Sequence, residues 1–235
     1  MKFALLLALT VAVAAFAQDQ IVPPKVAWGD EAPGDGFEIL GGQEAQLGKH
    51  RYVAGLKKSP NGETLCGGSL IAPNVVLTAA HCLKGKLRAV VVGTHYLTGF
   101  ADGELANITQ EIKHPERYDV GIAILDRNIT TIQPVNVSFE FVPADEVSVT
   151  TWNNTRASAA LFPIRLTDTM LGAGGVEGED SCRGDSGGPL TIEENGTVRL
   201  VGVISFGRGC GVHGNPGINE RASAARTFIE PYLPN

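Results

Sequence analysis

After its first 17 residues the chain has no apolar run of membrane-spanning length, which argues against a membrane-embedded protein. It has no basic run, which argues against nucleic-acid binding and against docking on an anionic membrane surface. No long segment of 3.6-residue apolar period appears before the C-terminal end, so a helical bundle is excluded. No repeat of fixed period is present. Cysteine is scarce, at four in 235 residues.

What is there starts with an export signal. Met1 to Ala17 combines a basic Lys2, an apolar run from Phe3 to Phe16 and a small-x-small end, Ala15-Phe16-Ala17. That pattern predicts a cleaved signal peptide and an extracellular, secreted product. In an oxidising compartment the four cysteines are expected to pair, and spacing alone leaves three connectivities open. Five sequons begin at Asn107, Asn128, Asn136, Asn153 and Asn195, which are candidate glycosylation sites on surface loops. The formal charge is −6; residues 1–38 hold two bases and five acids, leaving 17 bases and 20 acids, or −3.

Residues 18–38 are rich in Pro, Gly and acids and poor in large apolar groups, which predicts a pro-segment unable to build its own core. From Ile39 onward the pattern is short apolar runs between turns. Tyr52–Leu56, Ser69–Ala72, Asn74–Thr78, Leu87–Val92, Ile108–Ile112, Gly121–Leu125, Glu146–Thr151, Ala160–Leu166, Pro189–Ile192 and Arg199–Ser205 all read as strands. A short helix capped by Ser223 and stopped by Pro231 ends the chain. The pattern predicts an all-β sandwich or barrel.

Three strings carry chemistry. One is Leu77-Thr78-Ala79-Ala80-His81-Cys82, one is Asp119-Val120-Gly121-Ile122-Ala123-Ile124-Leu125, and one is Gly184-Asp185-Ser186-Gly187-Gly188-Pro189. A serine hydroxyl needs an adjacent base near neutral pH, and histidine has the pKa for that exchange. A buried carboxylate then holds the imidazole tautomer. On these strings the chain resembles the trypsin/chymotrypsin-like serine proteases, from Ile39 to about residue 230.

The resemblance implies two antiparallel six-stranded β-barrels, the C-terminal one trimmed, with a short C-terminal helix. It implies a domain spanning residues 39–235 and a catalytic triad of His81, Asp119 and Ser186. The N–H groups of Gly184 and Ser186 become the oxyanion hole. Asp180 becomes the floor of the primary specificity pocket, with Ser181, Ser205, Gly207 and Gly217 around it, so cleavage after Arg or Lys is expected. The same frame pairs Cys66 with Cys82 and Cys182 with Cys210. A freed Ile39 amino group is expected to pair with Asp185 on activation. No cofactor is implied. The implied partners are protein or peptide substrates and protein inhibitors, with no nucleic acid and no membrane, and a monomer is the default.

Four features depart from the family. Glu38, rather than Arg or Lys, precedes Ile39, so an outside protease is expected to remove 18–38. The segment His114 to Tyr118 runs straight into Asp119, without the loop that usually overhangs the histidine. Between Val147 and Asp180 the chain is short, with Asn153 and Gly172 at positions of a family glycine and cysteine. Thr94 stands where calcium-binding relatives carry an acid, so no metal site is expected, although Asp102 and Glu104 lie nearby. The alternative function is that of non-catalytic secreted members, such as glucanase inhibitors of plant pathogens, which bind or inhibit. An esterase of another fold is disfavoured, because its nucleophile precedes its acid and base in chain order.

Overall fold

The structure is a computed structural model that describes residues 45–116, 118–141, 151–152 and 166–234. The signal peptide, the pro-segment, Ile39, Asn153 and the Ala160–Leu166 strand, except Leu166, lie outside the described residues. So does Glu146–Thr151, except for its last residue.

The N-terminal half closes on itself. Strands β1 (Val53–Lys57), β2 (Thr64–Ala72), β3 (Val75–Thr78), β4 (Ala89–Val92), β5 (Glu104–Lys113) and β6 (Gly121–Leu125) form a closed barrel in the order β1-β2-β3-β6-β5-β4. Closure runs through the antiparallel pairing of β4 with β1, Ala54 opposite Val92 to Lys57 opposite Ala89. A barrel has no free edge, so such short strands are protected from edge pairing. Leu56, Leu70, Leu77, Val90, Val92 and Ile122 fill its core.

The second half is a sheet in the order β10-β11-β12-β9-β8. It comprises β8 (Thr151–Trp152), β9 (Met170–Ala173), β10 (Pro189–Glu194), β11 (Thr197–Phe206) and β12 (Gly217–Arg221), with β7 (Asn136–Val137) parallel to β11. A second, closed barrel is therefore not seen among the described residues. The sheet ends at β8, and residues 142–150 and 153–165 are outside the description.

Most expected strands appear within a few residues of their predicted bounds. Strand β12 is a miss with a clear cause. Its sequence, Gly-Ile-Asn-Glu-Arg, lacks the apolar run of the expected strands, yet all five residues are buried between β11 and β9. The terminal helix also differs from expectation. Helix α1 is Arg226–Ile229, its N-cap is Ala225 with no side-chain cap bond, and Pro231 sits inside a following 3-10 turn, Glu230–Tyr232. Ser223 therefore caps nothing, and burial of Ile229 secures the helix instead.

Disulfides join Cys66 to Cys82 and Cys182 to Cys210. The first closes a loop 16 residues long from β2 to the residue after His81. Replacing both Cys66 and Cys82 with Ala is expected to lower unfolding free energy by about 3 kcal/mol in the chain-entropy account. Urea denaturation at neutral pH measures it, and an unchanged midpoint would contradict the role of this link. The asparagines Asn107, Asn128, Asn136 and Asn195 are all exposed, and Asn195 occupies the turn of the β10–β11 hairpin.

Candidate active site

Each member of the candidate triad sits at the end of a strand. His81 follows β3 by three residues, Asp119 precedes β6 by two, and Ser186 precedes β10 by three. Strands β3 and β6 are antiparallel neighbours with Thr78 opposite Gly121, so the chain beyond one and before the other meet at the same rim. Asp119 there clasps His81 twice. Its Oδ1 accepts the His81 backbone N–H at 2.8 Å, and its Oδ2 lies 2.7 Å from the ring Nδ1. Ser205, from β11, donates its hydroxyl to the same Oδ2 at 2.5 Å. Burial pushes the Asp119 pKa up, but the hydrogen bonds from His81 and Ser205 outweigh it, and the carboxylate is held below its ordinary range. An anion at this point fixes the ring tautomer with Nε2 facing outward.

The loss of the overhanging loop is compensated by packing. His114 is buried, its ring stacks on Tyr118 at 4.4 Å between centroids, and Phe228 of α1 closes over it at 4.9 Å. This aromatic group pins the short approach to Asp119. His114 itself titrates low because it is buried and takes no part in the triad.

Ser186 is held by a backbone lock. Its carbonyl accepts the N–H of Gly67 on β2 at 2.8 Å, while the Gly67 carbonyl accepts the Thr78 hydroxyl at 2.7 Å. Gly187 has φ of +84°, and a Cβ on it would sit 2.2 Å from Thr78 Oγ1 and 2.5 Å from the Gly67 carbonyl oxygen. Only glycine satisfies both the left-handed backbone and the contact. Gly187→Ala is expected to destabilise the fold by more than about 4 kcal/mol, in the range reserved for combined strain and overpacking. Loss of folded protein on purification, or a collapsed denaturation midpoint, is the readout.

The neighbouring amides divide into two sets. Asp185 N–H bonds the Cys182 carbonyl and Gly187 N–H bonds the Ile204 carbonyl. Among the described residues the N–H groups of Gly184 and Ser186 have no such bond, and Gly184 has φ of +98°. Two unclaimed donors beside one hydroxyl are what an oxyanion requires. No hydrogen bond joins Ser186 Oγ to the His81 ring among the described residues. Such bonds are often loose before substrate arrives.

Asp180 is 7% exposed. Burial raises its pKa, only partly offset by the backbone N–H groups of Gly211 and Ser181. Oδ2 accepts the Gly211 N–H at 3.2 Å. A Cβ on Gly217 would lie 2.9 Å from both Asp180 Oδ1 and Ser181 Oγ, and Gly207 faces the Gly217 Cα. The expected pocket residues Asp180, Ser181, Gly207 and Gly217 are thus brought together. Ser205, expected in the pocket wall, turns its side chain to Asp119. Asp185 Oδ2 accepts the Cys182 N–H at 2.8 Å; its expected partner, Ile39, is outside the described residues.

Metal chemistry finds little purchase among the described residues. His81 lies near Cys66 and Cys82, with ligand atoms within 4.8 Å of one another, but both sulfurs are committed to a disulfide. At the loop after Thr94, the Lys57 ammonium donates to the carbonyls of Leu97 and Gly99 at 3.2 and 2.7 Å. Asp102 accepts from the Thr94 hydroxyl and the His95 N–H. Protein donors occupy this loop's acceptors.

One buried acid escaped the sequence reading. Glu220 of β12 is 1% exposed and accepts the Asp119 N–H through Oε1 at 3.4 Å. Nothing in its polar stretch signalled a place behind the triad.

The family profile described as Trypsin matches residues 39–229. Glucanase inhibitor protein 3 of Phytophthora infestans is 34% identical over 229 residues, covering 81% of this chain and 86% of the relative. Glucanase inhibitor protein 2 of Phytophthora sojae is 32% identical over 232 residues, covering 83% and 79%. A protein named Trypsin from Saccharopolyspora erythraea is 32% identical over 220 residues, covering 79% and 94%.

Proposed function

Because this chain belongs to the trypsin family, we propose that it is a secreted serine endopeptidase that cleaves after Arg or Lys. The observation that carries this reading is the double clasp of Asp119 on His81, with Ser205 completing it. The Ser186 hydroxyl oxygen attacks the scissile carbonyl carbon while His81 Nε2 takes its proton. Asp119 holds the resulting imidazolium. The carbonyl oxygen, now an anion, accepts from the N–H groups of Gly184 and Ser186. The C–N bond breaks as His81 returns the proton to the leaving amine. Water, deprotonated by His81, then attacks the acyl carbon and releases Ser186.

The remaining assignments follow from the same reading. Residues 1–17 are removed on export and 18–38 on activation. The freed Ile39 then pairs with Asp185, and residues 39–235 form the working domain, with the β8–β12 sheet as its second, trimmed barrel. Protein beginning at Ile39 should hydrolyse small Arg and Lys amides faster than Phe amides. Equal rates for it and a Ser186→Ala control would end the peptidase reading.

A second reading is that of a binding protein that inhibits glucanases. The names of the relatives support it more strongly than they support hydrolysis, since two of the three relatives above are called glucanase inhibitors. Under it, the mature chain binds a glucanase and lowers its activity whether or not Ser186 is present. Absence of binding at micromolar concentrations would count against it.

A further inference from the structure

Glu220 lies directly behind the candidate acid of the triad. Register places it opposite Val203 on β11 and Met170 on β9, in the middle of the sheet. One oxygen, Oε1, accepts the Asp119 N–H at 3.4 Å; the other, Oε2, is buried with no hydrogen-bond partner. Its carboxyl is therefore one peptide group away from the carboxylate that clasps His81.

A buried carboxyl close to an existing carboxylate does not ionise readily. Their claims on the negative charge are unequal. Asp119 receives the His81 N–H, the His81 ring and the Ser205 hydroxyl. Glu220 receives one long backbone bond and no cation. From the turn before β9 the Thr169 hydroxyl acts on it, and from the loop before β6 the charge is that of Asp119 itself, with His81 beyond it. β11 offers the apolar Val203. Arg221, next along β12, gives Nε to the Met170 carbonyl and lays its guanidinium over Phe141 at 4.6 Å. The negative charge is therefore favoured on Asp119 over Glu220.

We propose that Glu220 is a positioning residue for the triad, carried as a neutral acid behind Asp119, and that losing its proton as pH rises disengages Asp119 from His81. In the neutral form its carbonyl oxygen holds the Asp119 backbone and adds no charge. In the ionised form a second, unmatched anion abuts Asp119, and the strand must shift to admit water. Burial pushes the Glu220 pKa up and outweighs the pull of the Asp119 N–H; the Asp119 charge adds a smaller upward push and the Thr169 hydroxyl a smaller downward one. A carboxyl raised in the folded state contributes its full stability below the ordinary glutamate range. That stability falls as pH rises toward the folded-state value. The kinetic arm of the test rests on the peptidase reading; the others do not.

Glu220→Gln keeps the shape and removes the titration. Urea unfolding of the secreted protein is measured at pH 5 and pH 8, beside the His81 ring resonances from pH 5 to 9 by NMR. The folding constant of the variant is expected to exceed the wild type by about tenfold at pH 8 and by less at pH 5. The wild-type His81 resonances should show a second inflection that the variant lacks. With an Arg amide, the ratio of kcat/KM at pH 8 to that at pH 6 should be lower in the wild type than in the variant. Identical pH dependence of stability and of the His81 resonances in the two proteins would overturn the proposal. Absence of hydrolysis in both would remove only the peptidase reading. Should Glu220→Gln fail to fold, infrared spectra of the wild type and of Glu220→Thr at pH 5 decide. A protonated-carboxyl band lost in Glu220→Thr upholds the neutral acid, and no difference overturns it.

Discussion

Ser186→Ala in protein beginning at Ile39 is expected to lower kcat for an Arg amide by about a millionfold, the loss seen when a triad serine is removed from a serine protease. The size follows from cooperation. His81 has no proton to take without the hydroxyl, and Asp119 has no imidazolium to hold. What remains is the oxyanion site and binding, which together leave roughly a thousandfold or more over water. The Gly184 and Ser186 amides survive the substitution, because the Ser186 N–H and its carbonyl bond to Gly67 belong to the backbone. Affinity for a small amidine should therefore change little, since Asp180 is untouched. A fall in kcat with unchanged amidine affinity is the signature of a group used only in the transition state. A loss of under about tenfold would place the hydrolysis elsewhere, in a contaminant or another site. The same variant tests the second reading, because a surface that inhibits by docking does not need this hydroxyl. Retained glucanase inhibition by Ser186→Ala would show that the two activities are separable.

The candidate triad was legible because each member sits in a local string whose residues also have structural duties. Gly187 and Gly67 are forced by the approach of the nucleophile loop to β2, and Cys82 by the link to Cys66. Such duties leave a fixed local pattern. The barrel strands were legible for a similar reason, since Val, Ile and Leu runs between turns have few other uses. Long-range tertiary partners were not legible. Ser205 was read as wall because its string said so, yet its hydroxyl answers a carboxylate 86 positions away. Glu220 lies in a polar stretch without the apolar pattern of a strand, and β11 and β9 flank it. Polar residues that enter a core to serve a distant group break the pattern that reveals the core. His114 is the reverse case, a histidine given no role from sequence that turns out to pin the approach to Asp119 by stacking.

Asp180→Asn is expected to reduce kcat/KM for Arg substrates by about a thousandfold at pH 7 and, at the same pH, to stabilise the folded protein. Both effects have one cause. Asp180 is 7% exposed, and among the described residues no cation pairs with it. Burial raises its pKa, so its ionised form is costly in the free protein. An incoming guanidinium supplies the missing charge, and removing one partner of such a desolvated pair typically costs 3–5 kcal/mol, about a hundredfold to several thousandfold. The asparagine oxygen can still accept the Gly211 N–H, so the pocket keeps its shape. For stability the sign follows from the raised pKa. The wild type is at its best below the ordinary aspartate range and weakens as pH rises toward the folded-state value, whereas asparagine does not titrate. The stability gain should thus appear at pH 7 and vanish near pH 3, as read by urea unfolding at each pH. Hydrolysis of Phe amides should be spared or improved. A variant that loses Arg and Phe substrates equally would show that Asp180 supports the loop rather than selecting the side chain. A variant no more stable at pH 7 would show that the free carboxylate already has a partner. If both expected effects appear, the pocket is a site held in tension until a cation enters, and binding would recover the stability that the empty site gives up.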